Sequence, residues 1–542
     1  MNTPSVIQEE NSSNTFVDSI DNRRYNRTKI SIPLTLFSGL RFFGKKWAAR
    51  SVNLSQFGLQ IFIKDERTVF KVGKKLKVAL PCTPETMTAG FPAKKLKLEA
   101  IVTRSWATIE GVYLTVRFER PLNEMAQIEK GYFQAFVTLA MMGVVIGLIL
   151  FLKHRDVKWY WYDPLLHTYS LMAGFFFLSR IFLSLFYREP KDKGYMPSIS
   201  VIISVKNEQD HIAETVDRIF KTKYPRRLME LIVIDDGSDD KTWDVLKSIE
   251  DKYPKLRLVK FPENRGKRHG MAVGAESANG EILVYVDSDS YMEHESFYRI
   301  VQPFYDRKVA AVAGHTRVIL EDKNIISKME AVRYFISHQL FKTAESIFGT
   351  VTCCPGAFSA YRKKAVLEVL PKWLNQTFLG VKATFGDDRS LTNYILRNYK
   401  VLYHSNANCV TFVPSNFKTF FRQQLRWKKS WAREAPIAGF ILLKKHPIAF
   451  ISFFVGTIVT LCSPLVFLRA VIYGPAILGV SPLSYFIGVS LVYLLLCLIY
   501  LHQTKKSNWY YGLIFAVLYL CVLCWQTYYA ILTMNKTHWG TR

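Results

Sequence analysis

The sequence is poor in several features that would otherwise set its class. Residues 1–20 contain no apolar core and the first long apolar run begins only at 132, so no cleavable signal peptide is expected. The eight cysteines form no disulfide framework: Cys353 and Cys354 are adjacent, and Cys521 and Cys524 make a lone CxxC inside an apolar stretch. With no second pair and no histidine nearby, that CxxC reads as helix packing rather than a metal site. Acids are scarce beside bases, 44 against 72, which leaves a formal charge of +28. Such an excess suits an anionic membrane surface or phosphate-bearing ligands. Nucleic acid is the alternative, but no nucleic-acid module is readable and none is expected as a partner.

Long apolar runs, by contrast, are plentiful. YFQAFVTLAMMGVVIGLILFL (132–152) has no charge over 21 residues, enough to cross roughly 30 Å of hydrocarbon as a helix. A second run, 165–187, carries one arginine, Arg180; 447–471, 483–501 and 509–533 follow a long polar block. A chain of 542 residues also exceeds one compact core. The reading is a multi-spanning membrane protein. Lysine and arginine crowd 23–130 and 189–268, which places both polar blocks inside, although the short loop KHRDVK (153–158) is basic too. Arg180 and the aromatics of 158–187 suit either a conducting path or an interfacial belt, and the belt is preferred for most of them.

From 198 the pattern alternates strand and helix. SISVIISV, MELIVIDDGSDD and EILVYVDSDS are apolar strand runs that end in polar tips, with helical segments between them. They predict βαβ units, a mostly parallel sheet and a ligand site at the strand carboxyl ends. Asp287 and Asp289, one residue apart at such an end, suit a divalent cation shared with phosphates. Asp236 suits a base or ribose. Lys267 and Arg268, in a glycine-bearing loop, suit a diphosphate or simply a solvated surface. In GDDRSLTNYIL, Asp388 opens a helix, where the dipole keeps a carboxylate ionised and fit to act as general base. Plain N-capping by Asp387 or Asp388 is the other reading. QQLRWKKSW (423–431) fits either an active-site strip or a basic helix lying on lipid.

Together SVKNE (204–208), DDGS (235–238), GKR (266–268), DSDS (287–290), GDDR (386–389) and QQLRW (423–427) resemble the processive family 2 glycosyltransferases, the membrane synthases of cellulose, chitin and hyaluronan. The likeness covers roughly 130–542 and is greatest to hyaluronan and rhizobial chitooligosaccharide synthases. It implies an inverting, metal-dependent hexosyltransferase that takes nucleotide-sugar donors, UDP-sugars foremost. Such an enzyme extends and exports a β-linked hyaluronan-, chitin- or alginate-like exopolysaccharide of the biofilm type. A non-processive transferase acting on a lipid-linked acceptor is the alternative.

Roles follow from the resemblance residue by residue. Asp236, Lys267, Arg268, Asp287, Gln423 and Arg426 would hold the nucleotide sugar, and Asp289 a Mg2+ or Mn2+. Asp388 would be the base, with Asp387 and Trp427 on the acceptor side. TVTCCPGAFSAYR (350–362) is similar to a loop below the acceptor, but its CCPGAFSAYR form is not typical. Cys353 and Cys354 are therefore either site residues or buried packing. WGTR (539–542) resembles the family's terminal motif, which brings Trp539 and Arg542 near the site and requires an even number of crossings. Either 447–481, interrupted by Pro464 and Pro475, crosses twice, or one segment lies in the interface.

Upstream, RRYNR (23–27) and NLSQFG (53–58) resemble the PilZ domain, a cyclic di-GMP receptor. The likeness implies that Arg23, Arg27, Asn53, Ser55 and Gly58 bind cyclic di-GMP as an allosteric activator; a basic juxtamembrane patch is the other reading. The expected fold is an α/β GT-A-type domain embedded in an α-helical multi-spanning membrane domain, preceded by a small all-β PilZ-like barrel. Expected boundaries are 18–124 (barrel), 130–188 (two transmembrane helices), 189–440 (transferase), 441–534 (transmembrane or interfacial helices) and 535–542 (tail). The resemblance further implies a multi-pass protein of the bacterial inner membrane with its catalytic and barrel domains cytoplasmic. Its partners would be the donor, the growing polysaccharide, lipids, cyclic di-GMP and accessory export or periplasmic proteins. No gating-loop motif is readable.

Overall fold

A computed structural model describes residues 28–29, 33–38, 45–54, 58–64, 70–80, 96–108, 110–118, 122–158, 163–320 and 324–535. The chain divides into two compact units, one up to Val137 and one from Thr138.

The first unit contains a closed antiparallel barrel. Its strands obey the period of two: in Gly58–Lys64, Leu59, Ile61 and Ile63 are buried while Gly58, Gln60 and Phe62 are not. Pairing runs from Lys45–Leu54 through Pro33–Ser38, Lys75–Leu80, Leu96–Thr108, Gly111–Phe118 and Gly58–Lys64, then back to Lys45–Leu54. Six strands thus close on themselves around Leu36, Ile61, Val78, Val102, Val112 and Leu114. Asn53 and Gly58 lie on adjacent paired strands, and Asn53 Nδ2 donates to Gln60 Oε1 at 2.8 Å. Arg23, Arg27 and Ser55 lie outside the described residues.

The second unit is built on an eight-stranded sheet. Four neighbours, Leu256–Lys260, Met229–Asp235, Ile199–Val205 and Ile282–Val286, pair in parallel. Their continuous apolar runs are explained by burial on both faces: Val201 and Ile203 pack into one core, and Ile202 into the other. The mostly parallel expectation holds: a fourth parallel pairing, Val309–Val318 with Lys400–Thr411, joins these three against three antiparallel ones. Phe358–Arg362 inserts antiparallel between Ile282–Val286 and Val309–Val318, and Ser290–Met292 pairs antiparallel with Lys400–Thr411. The parallel half aims its polar tips, Asp236 and Asp287, at one edge.

Among the described residues four helices are long and apolar enough to cross a membrane: Tyr132–Arg155, Pro164–Ser184, Pro447–Leu478 and Tyr485–Thr504. Ser507–Leu523 and Gln526–Leu532, bent by 43°, make a fifth if they form one span. The two prolines do not divide Pro447–Leu478 into two crossings. The run stays helical, widening to a π-turn at Arg469–Tyr473 that absorbs Pro475. The irregular segment is the last pair. Before these spans, Phe417–Lys445 forms a polar 29-residue helix, started by Asn416, whose Oδ1 accepts the Thr419 N–H at 2.9 Å.

Candidate active site

On the donor side, Asp236 follows the Met229–Asp235 strand and is buried. Its carboxylate accepts the Arg265 N–H at 2.7 Å and the Gly266 N–H at 3.0 Å, which ties the strand tip to the loop that carries Lys267. Burial raises the Asp236 pKa above the usual carboxylate range, against the pull of those N–H groups. Lys267 opens the next helix and donates to Asp287 Oδ1. Asp289 is pushed up to about 7 by burial and by the Asp287 carboxylate beside it. Two crowded acids share one lysine, a local excess of negative charge that a cation would relieve. Gly356 brings the loop above them very close: a Cβ there would stand 3.2 Å from Asp287 Oδ1 and 3.3 Å from Lys267 Nζ.

Arg268 does not behave as its neighbour does. The sequence places it on a diphosphate, but its guanidinium is buried against Trp373 and turned inward. It donates from Nε to Asp387 Oδ1 at 2.8 Å and from one terminal nitrogen to the Trp373 carbonyl at 2.9 Å. Lys267 and Arg268 are the first two residues of a helix, so their side chains diverge by roughly 100°, which residue spacing in a loop does not reveal. Asp387, expected at the acceptor, is accordingly occupied as the anchor of Arg268.

Asp388 has no such anchor role. It stands in the first turn of the Asp387–Leu396 helix, and its Oδ1 accepts only the Arg389 N–H, at 2.7 Å. Its Oδ2 faces the Cys353 thiol, with Sγ at 3.6 Å. Burial, and then the Asp388 charge, push that thiol up to about 11, so it is a protonated donor. Cys354 is fully buried beneath, its N–H given to Thr392 Oγ1 at 3.0 Å.

A buried polar network fixes this helix to the polar one. Gln376 accepts from Ser390 at 2.5 Å and donates to Glu434 at 2.9 Å. Glu434 also accepts from Arg433 at 2.8 Å and from Asn393 at 2.9 Å, while Arg433 holds the Phe385 carbonyl at 2.6 Å. Gly386 makes the approach possible: its φ is +75°, and an added Cβ would lie 2.1 Å from Ser430 Oγ. Gly386→Ala should therefore lower turnover at least tenfold by displacing Asp388, since a misplacement of about 1 Å costs on the order of 100-fold. Adding Ser430→Gly should recover part of the loss. Wild-type turnover in the single variant, measured as nucleotide release, would show that the contact does not position the base.

In QQLRWKKSW the helical repeat puts Gln423, Trp427 and Trp431 on one face. All three line the cavity, as does Arg426. One face of Trp427 is covered by the Arg333 guanidinium, 4.8 Å from the ring centre, and Glu330 grips that guanidinium at 2.8 and 2.6 Å. Neither residue carries a sequence signal. Lys428 and Trp431, in the half of the strip that would lie on lipid in the second of the two readings, are turned inward: both line the cavity, and Lys428 Nζ donates to Thr527 Oγ1 at 2.8 Å.

A single cavity of about 1760 Å³ gathers these groups. Asp236, Lys267, Asp287, Asp289, Asp388 and Gln423 line one part. Tyr169, Arg180, Thr457, Tyr485, Tyr493 and Tyr519, all from apolar helices, line another. Arg268, Asp387 and Cys353 also reach its wall, whereas Cys354 does not. Trp539 and Arg542 lie outside the described residues.

Acids thus cluster at the carboxyl edge of the sheet's parallel half, beside a helix-opening carboxylate. Residues 200–370 match the family described as Glycosyl transferase family 2, which supports a glycosyltransferase. The chain is 27% identical over 384 residues to the hyaluronan synthase of Streptococcus pyogenes, covering 69% of this chain and 90% of that relative. It is 27% identical over 360 residues to an N-acetylglucosaminyltransferase of Azorhizobium caulinodans, covering 64% and 87%. Among solved structures, a mannosyltransferase of Pyrobaculum calidifontis in complex with GDP-Man and Mn2+ aligns over 72% of this chain and 99% of its own. That alignment has a TM-score of 0.45 and 21% identity.

Proposed function

We propose that this chain is a processive, inverting polysaccharide synthase that builds a β-linked polymer from nucleotide sugars, UDP-sugars foremost, and passes it out along its own helices. The observation that carries the reading is the one cavity shared by the strand-end acids and the apolar helices. A transferase that released each product to water has no use for such a continuation.

In this reading Asp236 meets the nucleoside, while Lys267, Gln423 and Arg426 meet the diphosphate. An acceptor hydroxyl on the polymer end gives its proton to Asp388 as its oxygen attacks the anomeric carbon. The bond from that carbon to the diphosphate breaks on the opposite face, the nucleoside diphosphate leaves with the electron pair, and an α-linked donor becomes a β-linkage. Trp427, braced by Arg333, offers its free face to the acceptor sugar. Arg268 and Asp387 act as positioning residues for Asp388.

Asp287 and Asp289 supply hard carboxylate oxygens that fit Mg2+ or Mn2+, with phosphate oxygens completing the shell. No set of three protein ligands exists among the described residues. Such an ion offsets the charge that develops on the departing diphosphate. Chelation should abolish nucleotide release and Mn2+ should restore it. Asp289→Asn should raise the Mn2+ needed for half-maximal rate by about tenfold or more. Full activity in excess chelator would end the metal assignment.

The deciding experiment is product analysis. Purified protein with Mn2+, cyclic di-GMP and a panel of UDP- and GDP-sugars should give long polymer while most donor is still unspent. A single addition onto a solvent-extractable lipid would favour the lipid-acceptor reading.

The barrel is proposed as a cyclic di-GMP receptor, supported by its six-stranded closure and by the RRYNR and NLSQFG segments. Arg23→Ala should weaken cyclic di-GMP binding at least tenfold, about 1.4 kcal/mol or more for one charged contact, and remove activation. Unchanged calorimetric binding would refute the assignment.

A further inference from the structure

The wall of the cavity away from the strand-end acids is unusually cationic. Lys153, Arg180, Arg333, Lys342 and Lys428 line it, and the acid exposed there is Glu345. Glu330, behind Arg333, neutralises that one arginine. Lys342 and Lys428 donate to neutral acceptors, the Cys353 carbonyl at 2.6 Å and Thr527 Oγ1 at 2.8 Å. Lys342 holds the loop whose Cys353 thiol faces Asp388, and Arg333 covers Trp427, so the cations continue from the acceptor side of the site toward Arg180.

Arg180 is the telling member. It sits within the Pro164–Ser184 span, where a charge is costly and is retained mainly beside a cavity or for function. It is 5% exposed, and its Nε has no hydrogen-bond partner among the described residues. Its ion pair with Glu345 is long, 3.9 Å, and Glu345 is already engaged by Thr352 through N at 3.0 Å and Oγ1 at 3.2 Å. Phe176 and Phe341 flank the guanidinium, 5.2 and 5.9 Å from ring centre to the guanidinium carbon. An arginine serving only to bind Glu345 would sit closer and use two nitrogens.

We infer that this stretch of wall binds carboxylate groups of the polymer in transit, so that the product is an acidic polysaccharide and one donor is a nucleotide-linked uronic acid. The inference rests on the synthase reading above. A neutral glycan would leave Arg180, Lys342 and Lys428 in a low-dielectric wall with Glu345 and neutral groups as their partners, whereas a carboxylate on successive repeats supplies charge compensation. Hydroxyls and amides of neutral sugars hydrogen-bond equally well to uncharged walls, so they give no reason for cations here.

The test uses the full-length protein with Mn2+ and cyclic di-GMP, first given UDP-N-acetylglucosamine or UDP-glucose alone, then each with UDP-glucuronate or GDP-mannuronate, and the two acidic donors alone. The expected result is long polymer only where an acidic donor is present, retained on anion exchange. Long polymer from neutral donors alone, unchanged when acidic donors are added, overturns the inference and leaves the synthase reading standing. No nucleotide release from any donor overturns both.

A binding arm reads the wall directly. A glucuronate-containing tetrasaccharide should quench intrinsic tryptophan fluorescence at lower concentration than chitotetraose, with a steep dependence on salt. Arg180→Gln should cost the acidic ligand roughly tenfold in affinity and leave the neutral one unchanged, with Arg180→Lys retaining most of it. Lys342→Met gives the same readout if Arg180→Gln does not fold. Equal affinities for the two tetrasaccharides, insensitive to these changes, also refute the inference.

Discussion

Asp388→Asn is expected to lower the transfer rate by about 100- to 10,000-fold, the range that a general base contributes. The side chain stays the same size, and the Arg389 N–H still finds an oxygen, so the helix start and the donor contacts at Asp236 and Lys267 are preserved. Affinity for the nucleotide diphosphate should therefore stay within a factor of about two to three, too small a change to reflect a lost hydrogen bond. Asp387→Asn is a useful contrast, because that carboxylate is spent on Arg268. The asparagine there should disturb folding and binding together. Polymer made at the normal rate by Asp388→Asn would remove this residue from the chemistry and return attention to Asp289.

The second large effect concerns stability. Glu434→Ala strips Arg433, Gln376 and Asn393 of a shared acceptor in a region where Arg433 and Glu434 are 4% and 1% exposed. Removing one partner of a buried pair leaves an uncompensated charge and costs about 3–5 kcal/mol. In detergent this should appear as a fall of at least roughly 5 °C in the unfolding midpoint, with transfer lost in parallel. Glu434→Gln keeps the shape and one acceptor, so an intermediate loss is expected. An unfolding midpoint within a degree of the native protein in Glu434→Ala would mean that Asn393 and Gln376 hold Arg433 without it.

The strand tips were legible in the sequence because they obey a local rule. An apolar run buried on both faces must end in polar residues, and βαβ connection sends those ends to one edge. Asp236, Asp287 and Asp289 follow from that alone. The helical repeat likewise groups Gln423 with Trp427. What local rules do not contain is the direction a long side chain takes. Arg268 adjoins Lys267, yet one enters the cavity beside Asp287 and the other is buried on Asp387. Lys428 reads as a lipid-facing cation until Thr527, about a hundred residues later, supplies its acceptor.

The bracing of Trp427 by Arg333 and Glu330 was hidden for the same reason, since those residues stand in a helix with no motif. The antiparallel insertion of Phe358–Arg362 also escaped a reading based on alternation, because a short apolar strand carries no mark of its direction. The continuous helix through Pro464 and Pro475 depends on a π-turn, which no proline count predicts.

The loop from Cys353 to Gly356 has a mechanical consequence. At one end its thiol faces Asp388; three residues on, its backbone lies almost against the Asp287 and Lys267 side chains. It is a short lever with one arm at Asp388 and the other at Lys267 and Asp287. In the proposed reaction, a diphosphate that drew Lys267 away from Asp287 would loosen the crowding at Gly356. Three peptide units separate that point from the Cys353 thiol at Asp388. A loaded donor site and the proposed base would then be joined through ten or so backbone atoms, with no large domain movement needed between them.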